Sequence, residues 1–247
     1  MADVDLEVDR PVPDDAVLVA EDIESGYGEL QVLHGVSMYL KAEEIVCIIG
    51  PNGAGKSTVL KTIFGLLDVW AGRVESNGED ITDTAPEDIV RKGIGYVPQI
   101  DNVFPSMTVR ENLLMGGVAR DDTDEIMGQL RDRFPLLEEK WGVKAVNLSG
   151  GQRQILALAR ALMMEPDVLL VDEPSAGLAP SIVDDVIAEL ETVNEFGTAI
   201  LMIEQNAREG LAVADRGYVL AQGQVEFEGD ADGILDNDRI RELYLGG

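Results

Sequence analysis

The chain has one cysteine and one histidine in 247 residues, and six lysines beside thirteen arginines. Cys47 alone excludes an intramolecular disulfide and zinc sites built from several thiolates. Its place in the apolar run Ile45-Val46-Cys47-Ile48-Ile49 predicts a buried, reduced thiol in a cytosolic protein. No apolar run approaches the roughly 18 residues that cross a bilayer, since even Ile155 to Met164 is interrupted by Arg160. A membrane role must therefore come through a partner. The first ten residues are acidic rather than basic and apolar, which argues against a secretory signal. Basic residues number 19 against 47 acidic ones, for a net charge of −28, so the general surface does not suit nucleic acid. The acidic residues are spread along the chain, as in Asp121-Asp122 and Asp236-Asn237-Asp238. They read as a merely acidic cytosolic protein or, in the preferred reading, as one that works in concentrated salt. A Debye length of about 3 Å at 1 M would silence the self-repulsion.

What is present begins with Gly50-Pro51-Asn52-Gly53-Ala54-Gly55-Lys56-Ser57-Thr58, which fits G-x-x-x-x-G-K-[ST] at every specified position. The apolar run before it predicts a buried strand, and Ser57 to Phe64 predicts a helix leaving it. Glycines let successive N–H groups turn inward on a polyphosphate, with the helix N-terminus adding partial positive charge. Lys56 would neutralise the β and γ phosphates, and the Ser57 hydroxyl would hold Mg²⁺. The plainer alternative is a glycine-rich turn before a helix.

Residues 1 to 15 read as an acidic, loose leader containing Pro11 and Pro13. Val17 to Ile23 and Val32 to Leu40 have strand length and patterning, and between them Tyr27 is flanked by glycines. That tyrosine could stack on a base or simply mark a turn. Asn77-Gly78 signals a hairpin. Thr84-Ala85-Pro86-Glu87 predicts a capping box opening a short helix that ends by Gly93. Ile94 to Val97 is a short strand delivering Gln99 into a loop. From about 100 to 147 no strand is evident. A second capping box at Thr108 to Glu111 and a helical period over Asp124 to Phe134 predict an inserted helical subdomain. Helices over 150–164, 181–195 and 206–214 then alternate with strands Val168–Val171, Ala199–Ile203 and Tyr218–Leu220, which argues for a parallel sheet covered on both faces. The end, through Arg239 to Tyr244, is expected to be helical.

Val168 to Val171 leads into Asp172-Glu173. Adjacent residues at a strand tip point different ways, so Asp172 could serve the Mg²⁺ shell while Glu173 polarises a water. Leu148-Ser149-Gly150-Gly151-Gln152 is a helix start in which Ser149 caps and Gln152 stands at the reciprocal position. Glycines in a helix interior cost about 1 kcal/mol each relative to Ala, and bare N–H groups for a second phosphate contact would offset that. LSGGQ, a hundred residues after the phosphate loop and just before VLLVDEP, resembles the signature of ATP-binding cassette (ABC) ATPases. The likeness runs from about Val17 to the end.

The resemblance implies an α/β fold: a P-loop NTPase (RecA-like) core over residues 16–247, with an antiparallel β subdomain and the inserted helical subdomain. It implies that Tyr27 stacks on adenine, that residues 50–58 bind ATP, and that Gln99 contacts Mg²⁺ and the membrane partner. Glu173 would be the catalytic carboxylate, with Lys56 and Gln205 beside it. Mg²⁺ would be held by Ser57, Gln99 and Asp172. Two cassettes would sandwich two ATPs, so that Ser149, Gly150, Gly151 and Gln152 meet the nucleotide of the other subunit. The implied partners are a second ATPase subunit, integral-membrane permease subunits at the cytoplasmic face and, indirectly, a substrate-binding protein.

Two departures narrow this. The family usually places a histidine after the strand Ala199–Ile203, but here the order is Glu204-Gln205-Asn206, and His34 lies on another strand. Glutamine can hydrogen-bond a phosphate but cannot carry a proton. An Asp usual a few residues after the catalytic Glu is replaced by Ala179. With GYGELQVLHGVS near the start and YLGG at the end, these features resemble one of the two ATPase subunits of branched-chain amino-acid importers. That subunit pairs with a different ATPase, although a homodimer is compatible with Gln205. A urea or amide importer subunit and a soluble non-transport cassette are the alternatives.

Overall fold

The computed structural model describes residues 12–238, 240 and 242. Most of the expected leader, the YLGG end and most of the expected terminal helix lie outside them. The strands are β1 (Ala16–Tyr27), β2 (Leu30–Lys41), β3 (Ile45–Ile49), β4 (Ala71–Ser76), β5 (Glu79–Asp80), β6 (Ile94–Val97), β7 (Val168–Asp172), β8 (Ala199–Ile203), β9 (Arg216–Ala221) and β10 (Gln224–Asp230). The helices are α1 (Lys56–Ile63), α2 (Pro86–Arg91), α3 (Val109–Gly116), α4 (Thr123–Arg133), α5 (Pro135–Glu139), α6 (Gly150–Leu162), α7 (Pro180–Glu195), α8 (Ala207–Leu211) and α9 (Ala231–Leu235).

Two sheets form. An antiparallel sheet has the order β2-β1-β4-β5, and a six-stranded sheet has the order β10-β9-β3-β8-β7-β6. In the second, β9, β3, β8, β7 and β6 run parallel and β10 closes one edge antiparallel to β9. Every residue of β3, β7 and β8 is buried, and the pleat divides them between two apolar clusters. Val46, Ile48, Val168, Leu170, Ala199 and Leu201 face one cluster, with α1 and the antiparallel sheet. Cys47, Leu169, Val171, Ile200 and Met202 face the other, with α6, α7 and the helical segment from 109 to 139. At about 1.5–3 kcal/mol per buried branched side chain, as an upper bound, this double-sided burial is what holds the central strands.

Local signals account for several boundaries. Asn77 and Gly78 take φ of 50° and 76° in the β4–β5 turn. Thr108 and Glu111 form the expected reciprocal cap of α3. The capping box expected at Thr84 does not form: Ala85 is the N-cap of α2 and Pro86 occupies the first helical position. The fixed φ of proline sets the helix start one residue late, which moves Glu87 out of reach of its expected partner. The helix expected over 206–214 is only Ala207–Leu211, capped by Asn206. The strand expected over Tyr218–Leu220 is longer at both ends and is followed by β10, which the sequence reading did not include. Between about 100 and 147 the helices α3, α4 and α5 and a 3-10 turn at Ala145–Asn147 are joined by loops, with a single antiparallel bridge between Thr108 and Lys144.

A charged cluster ties β9 and β10 to the β2–β3 turn. Arg216 donates to Glu44 at 3.1 Å, to Glu228 at 2.7 Å and to the Tyr218 hydroxyl at 2.7 Å, and its guanidinium lies 4.0 Å from the Tyr39 ring centroid. Burying one cation between two carboxylates is tolerable because each is hydrogen-bonded.

Candidate nucleotide-binding and catalytic site

Parallel strands present all their carboxyl ends at one edge of the sheet. There β3 delivers the loop 50–55, β7 delivers Asp172 and Glu173, β8 delivers Glu204 and Gln205, and β6 delivers Gln99. Strand order, not chain order, makes these segments neighbours.

The loop curls on two glycines whose geometry excludes a side chain. Gly50 has φ 151°, and a Cβ there would stand 2.1 Å from the Leu220 carbonyl oxygen. Gly55, the left-handed N-cap of α1 at φ 103°, would meet Leu33 at 3.0 Å. Lys56 is 5% exposed, and its Nζ donates to the Gly50 carbonyl at 2.8 Å and the Pro51 carbonyl at 3.3 Å. Burial lowers its pKa, while Glu173 and Asp172 act the other way. Pro51, Asn52 and Gly53 are exposed, whereas Ala54 and Thr58 are buried under the loop. The β9–β10 turn braces it: the Gly223 N–H donates to the Ala54 carbonyl at 2.9 Å. That brace was missed with β10, although Gln222-Gly223 is a turn-forming pair.

Asp172 and Glu173 sit in different surroundings. Asp172 is 3% exposed, accepts from Ser57 Oγ at 3.0 Å and faces the Tyr96 hydroxyl at 3.4 Å. Burial raises its pKa, and the Ser57 hydrogen bond is the largest opposing effect. Glu173 is half-buried with φ 46°, and its Oε2 accepts from Gln99 Nε2 at 2.6 Å. Its pKa is also raised, first by burial, with Lys56 opposing and Asp172 reinforcing. The Glu173 N–H donates to the Ile203 carbonyl at 3.0 Å, which fixes β7's end against β8. Gln205 is exposed on the loop between β8 and α8.

Tyr27 and the segment from Ser149 to Gln152 stand apart from this cluster by element. Tyr27 ends β1, 46% exposed, with Lys61 Nζ 5.9 Å from its ring centroid, so it is a strand-end residue before a turn at Gly28. Ser149 caps α6: its Oγ accepts from the Gln152 N–H at 3.3 Å, and Gln152 Oε1 accepts from the Ser149 N–H at 3.0 Å. A Cβ on Gly150 would meet Leu178 at 2.9 Å and one on Gly151 would meet Ile182 at 2.1 Å, so the segment after β7 presses on this helix start. Tyr96, Ser175 and Glu204 belong to the site's surroundings and were not singled out by the sequence; their partners lie far off along the chain, Asp172 for Tyr96 and Glu204 for Ser175, so none carries a local signal.

The donor set fits a magnesium-bound nucleotide. Among the described residues no group of three His, Cys, Asp or Glu could hold a metal alone. Mg²⁺ keeps several waters and takes one or two protein ligands plus phosphate oxygens, which is what a Ser57–Asp172 pair beside a glycine loop provides.

Comparison with known proteins gives the family. The family described as ABC transporter matches residues 33–176. The high-affinity branched-chain amino acid transport ATP-binding protein BraG of Pseudomonas aeruginosa is 40% identical over 94% of this chain and 100% of its own. The probable branched-chain amino acid transport protein LivF of Archaeoglobus fulgidus is 39% identical over 91% and 96%. LptB of Escherichia coli, a lipopolysaccharide export protein, is 34% identical over 94% and 98%. Among solved structures, a nucleotide-free ATP-binding cassette from an ABC transporter superposes with a TM-score of 0.85 at 31% identity, covering 94% of this chain and 100% of its own. Fold, loop geometry and relatives together make this chain a member of the ABC transporter family of ATP-binding cassettes.

Proposed function

We propose that the chain is the Mg²⁺-ATP-hydrolysing subunit of a membrane importer for branched-chain or other amino acids. The observation that carries this reading is the convergence of the loop 50–58, Asp172, Glu173, Gln99 and Gln205 at one sheet edge, in a chain that matches BraG over 100% and LivF over 96% of their own lengths. Residues 50–58 would cradle the phosphates through backbone N–H groups, with Lys56 as the charge on the β and γ positions. Ser57 and Asp172 would hold Mg²⁺, with Gln99 beside them; the ion, when bound, neutralises charge developing on the phosphate oxygens. Glu173 would take the proton of the attacking water, and Tyr27 would stack on the base. Ser149, Gly150, Gly151 and Gln152 would address the nucleotide of a second cassette.

No described helix is long and apolar enough to cross a membrane, so energy would reach the bilayer through permease subunits at its cytoplasmic face. A substrate-binding protein would act on those subunits, and nucleic acid has no part. The cargo touches the permease rather than this subunit, so its class rests on BraG and LivF. Export of lipopolysaccharide, the activity in LptB's name, needs the same ATPase geometry and a different permease. The acidic surface suits concentrated salt.

Gln205 points to a heterodimer in which the companion cassette brings the proton-carrying side chain. ATP turnover in molar KCl with Mg²⁺, compared for wild type and Gln205→His, tests this. The isolated wild type is expected to be slow, and histidine is expected to raise turnover tenfold or more, within the roughly 10²–10⁴-fold range of acid–base groups. Fast wild-type turnover with no gain from histidine would remove the heterodimer and leave a homodimer.

A further inference from the structure

Glu204, at the end of β8, is a carboxylate with 1% exposure that none of the roles above uses. Two donors of Ser175 converge on it: the Ser175 N–H reaches Oε1 at 3.0 Å and the Ser175 hydroxyl reaches Oε2 at 2.7 Å. Ser175 lies two residues beyond Glu173, whose own N–H is held by Ile203 just before Glu204. The other side of Glu204 is filled: a Cβ on Gly210 would lie 2.8 Å from the Glu204 Cβ and 2.6 Å from Cys47 Sγ.

Such a group is costly. Burial raises the carboxyl's pKa, Glu209 raises it further, and the Ser175 hydrogen bonds are the largest influence in the charged form's favour. A neutral amide would be cheaper to bury but has one acceptor oxygen, whereas a carboxylate offers an oxygen to each of the two Ser175 donors. These two bonds join the segment carrying Glu173 to the segment carrying Gln205. Beyond Ser175, Leu178 and Ile182 press against the Gly150-Gly151 turn of α6, so that segment also sets where this helix start lies.

We propose that Glu204 is a positioning residue whose carboxylate locks the segment Glu173–Ser175 to Gln205 and holds both side chains in register over the phosphate loop. It rests on the roles given to Glu173 and Gln205 above. It acts through those two groups, so its loss should change the chemical step far more than nucleotide binding.

The test uses the full chain in molar KCl, in the assembly in which wild type turns over. Glu204→Gln and Ser175→Ala are each expected to lower kcat about tenfold or more with KM for ATP within about twofold, the pattern of an interaction that matters in the transition state. The double variant should be no slower than the worse single one, because both remove the same link. Ser175→Thr, which keeps a hydroxyl and the N–H, should retain most of the turnover. Where Glu204→Gln does not fold, the Ser175 pair decides. Full turnover in Glu204→Gln and Ser175→Ala, in a protein that Glu173→Gln silences, would overturn this proposal alone. So would losses in which KM and melting temperature move as much as kcat and threonine rescues nothing. Full turnover in Glu173→Gln would overturn the catalytic reading and this proposal with it.

Discussion

Glu173→Gln is expected to lower ATP turnover by two orders of magnitude or more while leaving nucleotide binding intact, within the roughly 10²–10⁴-fold worth of a positioned base. Glutamine is nearly the same shape, so the backbone at φ 46° and its bond to Ile203 are undisturbed. What changes is proton affinity. A carboxylate can take a proton from water and an amide cannot. Burial, the largest influence, and Asp172 both raise the Glu173 pKa, bringing the group toward the range useful to a base. The rising limb of the rate against pH should therefore lie above the ordinary carboxylate range, and it should vanish in the variant. Gln99, which donates to Glu173 Oε2, would face either an amide oxygen or an amide nitrogen in the variant. Chemistry would stop with ATP bound, so a long-lived closed dimer should appear on size exclusion with Mg²⁺-ATP. Turnover equal to wild type would remove Glu173 from its role.

The second large effect is expected at Lys56. Lys56→Ala should weaken ATP binding by about two orders of magnitude and abolish turnover, since a hydrogen bond to a charged group is worth about 1.5–3 kcal/mol. With 5% exposure, Nζ is held inside the curl of the loop by the Gly50 and Pro51 carbonyls, at 2.8 and 3.3 Å. Lys56→Arg should not rescue binding, because a planar fork of five donors cannot take the place of a compact ammonium within a loop closed by Gly50 and Leu220. Fluorescent-nucleotide titration in molar KCl checks this. Equal affinity for wild type and Lys56→Ala would mean that nucleotide, if bound, does not sit in this loop.

Much of the site was legible because its parts are short and local. Residues 50–58 need only a strand, a glycine curl and a helix start, all specified within fifteen residues. The α6 start was equally readable, since a reciprocal cap involves residues three apart. Strand tips ending in Asp172-Glu173 and in Glu204-Gln205 were visible as apolar runs that stop at polar residues. Local reading failed where a competing local constraint or a distant partner decided the outcome. Pro86 overrode the capping pair at Thr84 and Glu87. β10 alternates weakly, with three consecutive buried residues, Phe227 to Gly229, before its exposed last residue, and is a strand because β9 pairs with it.

The sequence by itself determined that this protein has a glycine loop between a buried strand and a helix, a capped double-glycine helix start and carboxylates at the ends of buried strands, each a consequence of contacts within one or two turns of chain. Only the tertiary structure decided what those parts do to one another. The order β9-β3-β8-β7-β6 sets Ser57 against Asp172 across 115 residues and Gln99 against Glu173 across 74, and it joins Ser175 to Glu204 through a buried carboxylate. Those pairings depend on which strands share a hydrogen-bonded edge and on which of their two faces each helix covers. Both follow from the packing of the whole chain, because every central strand is apolar on both faces and carries no local mark of its neighbour.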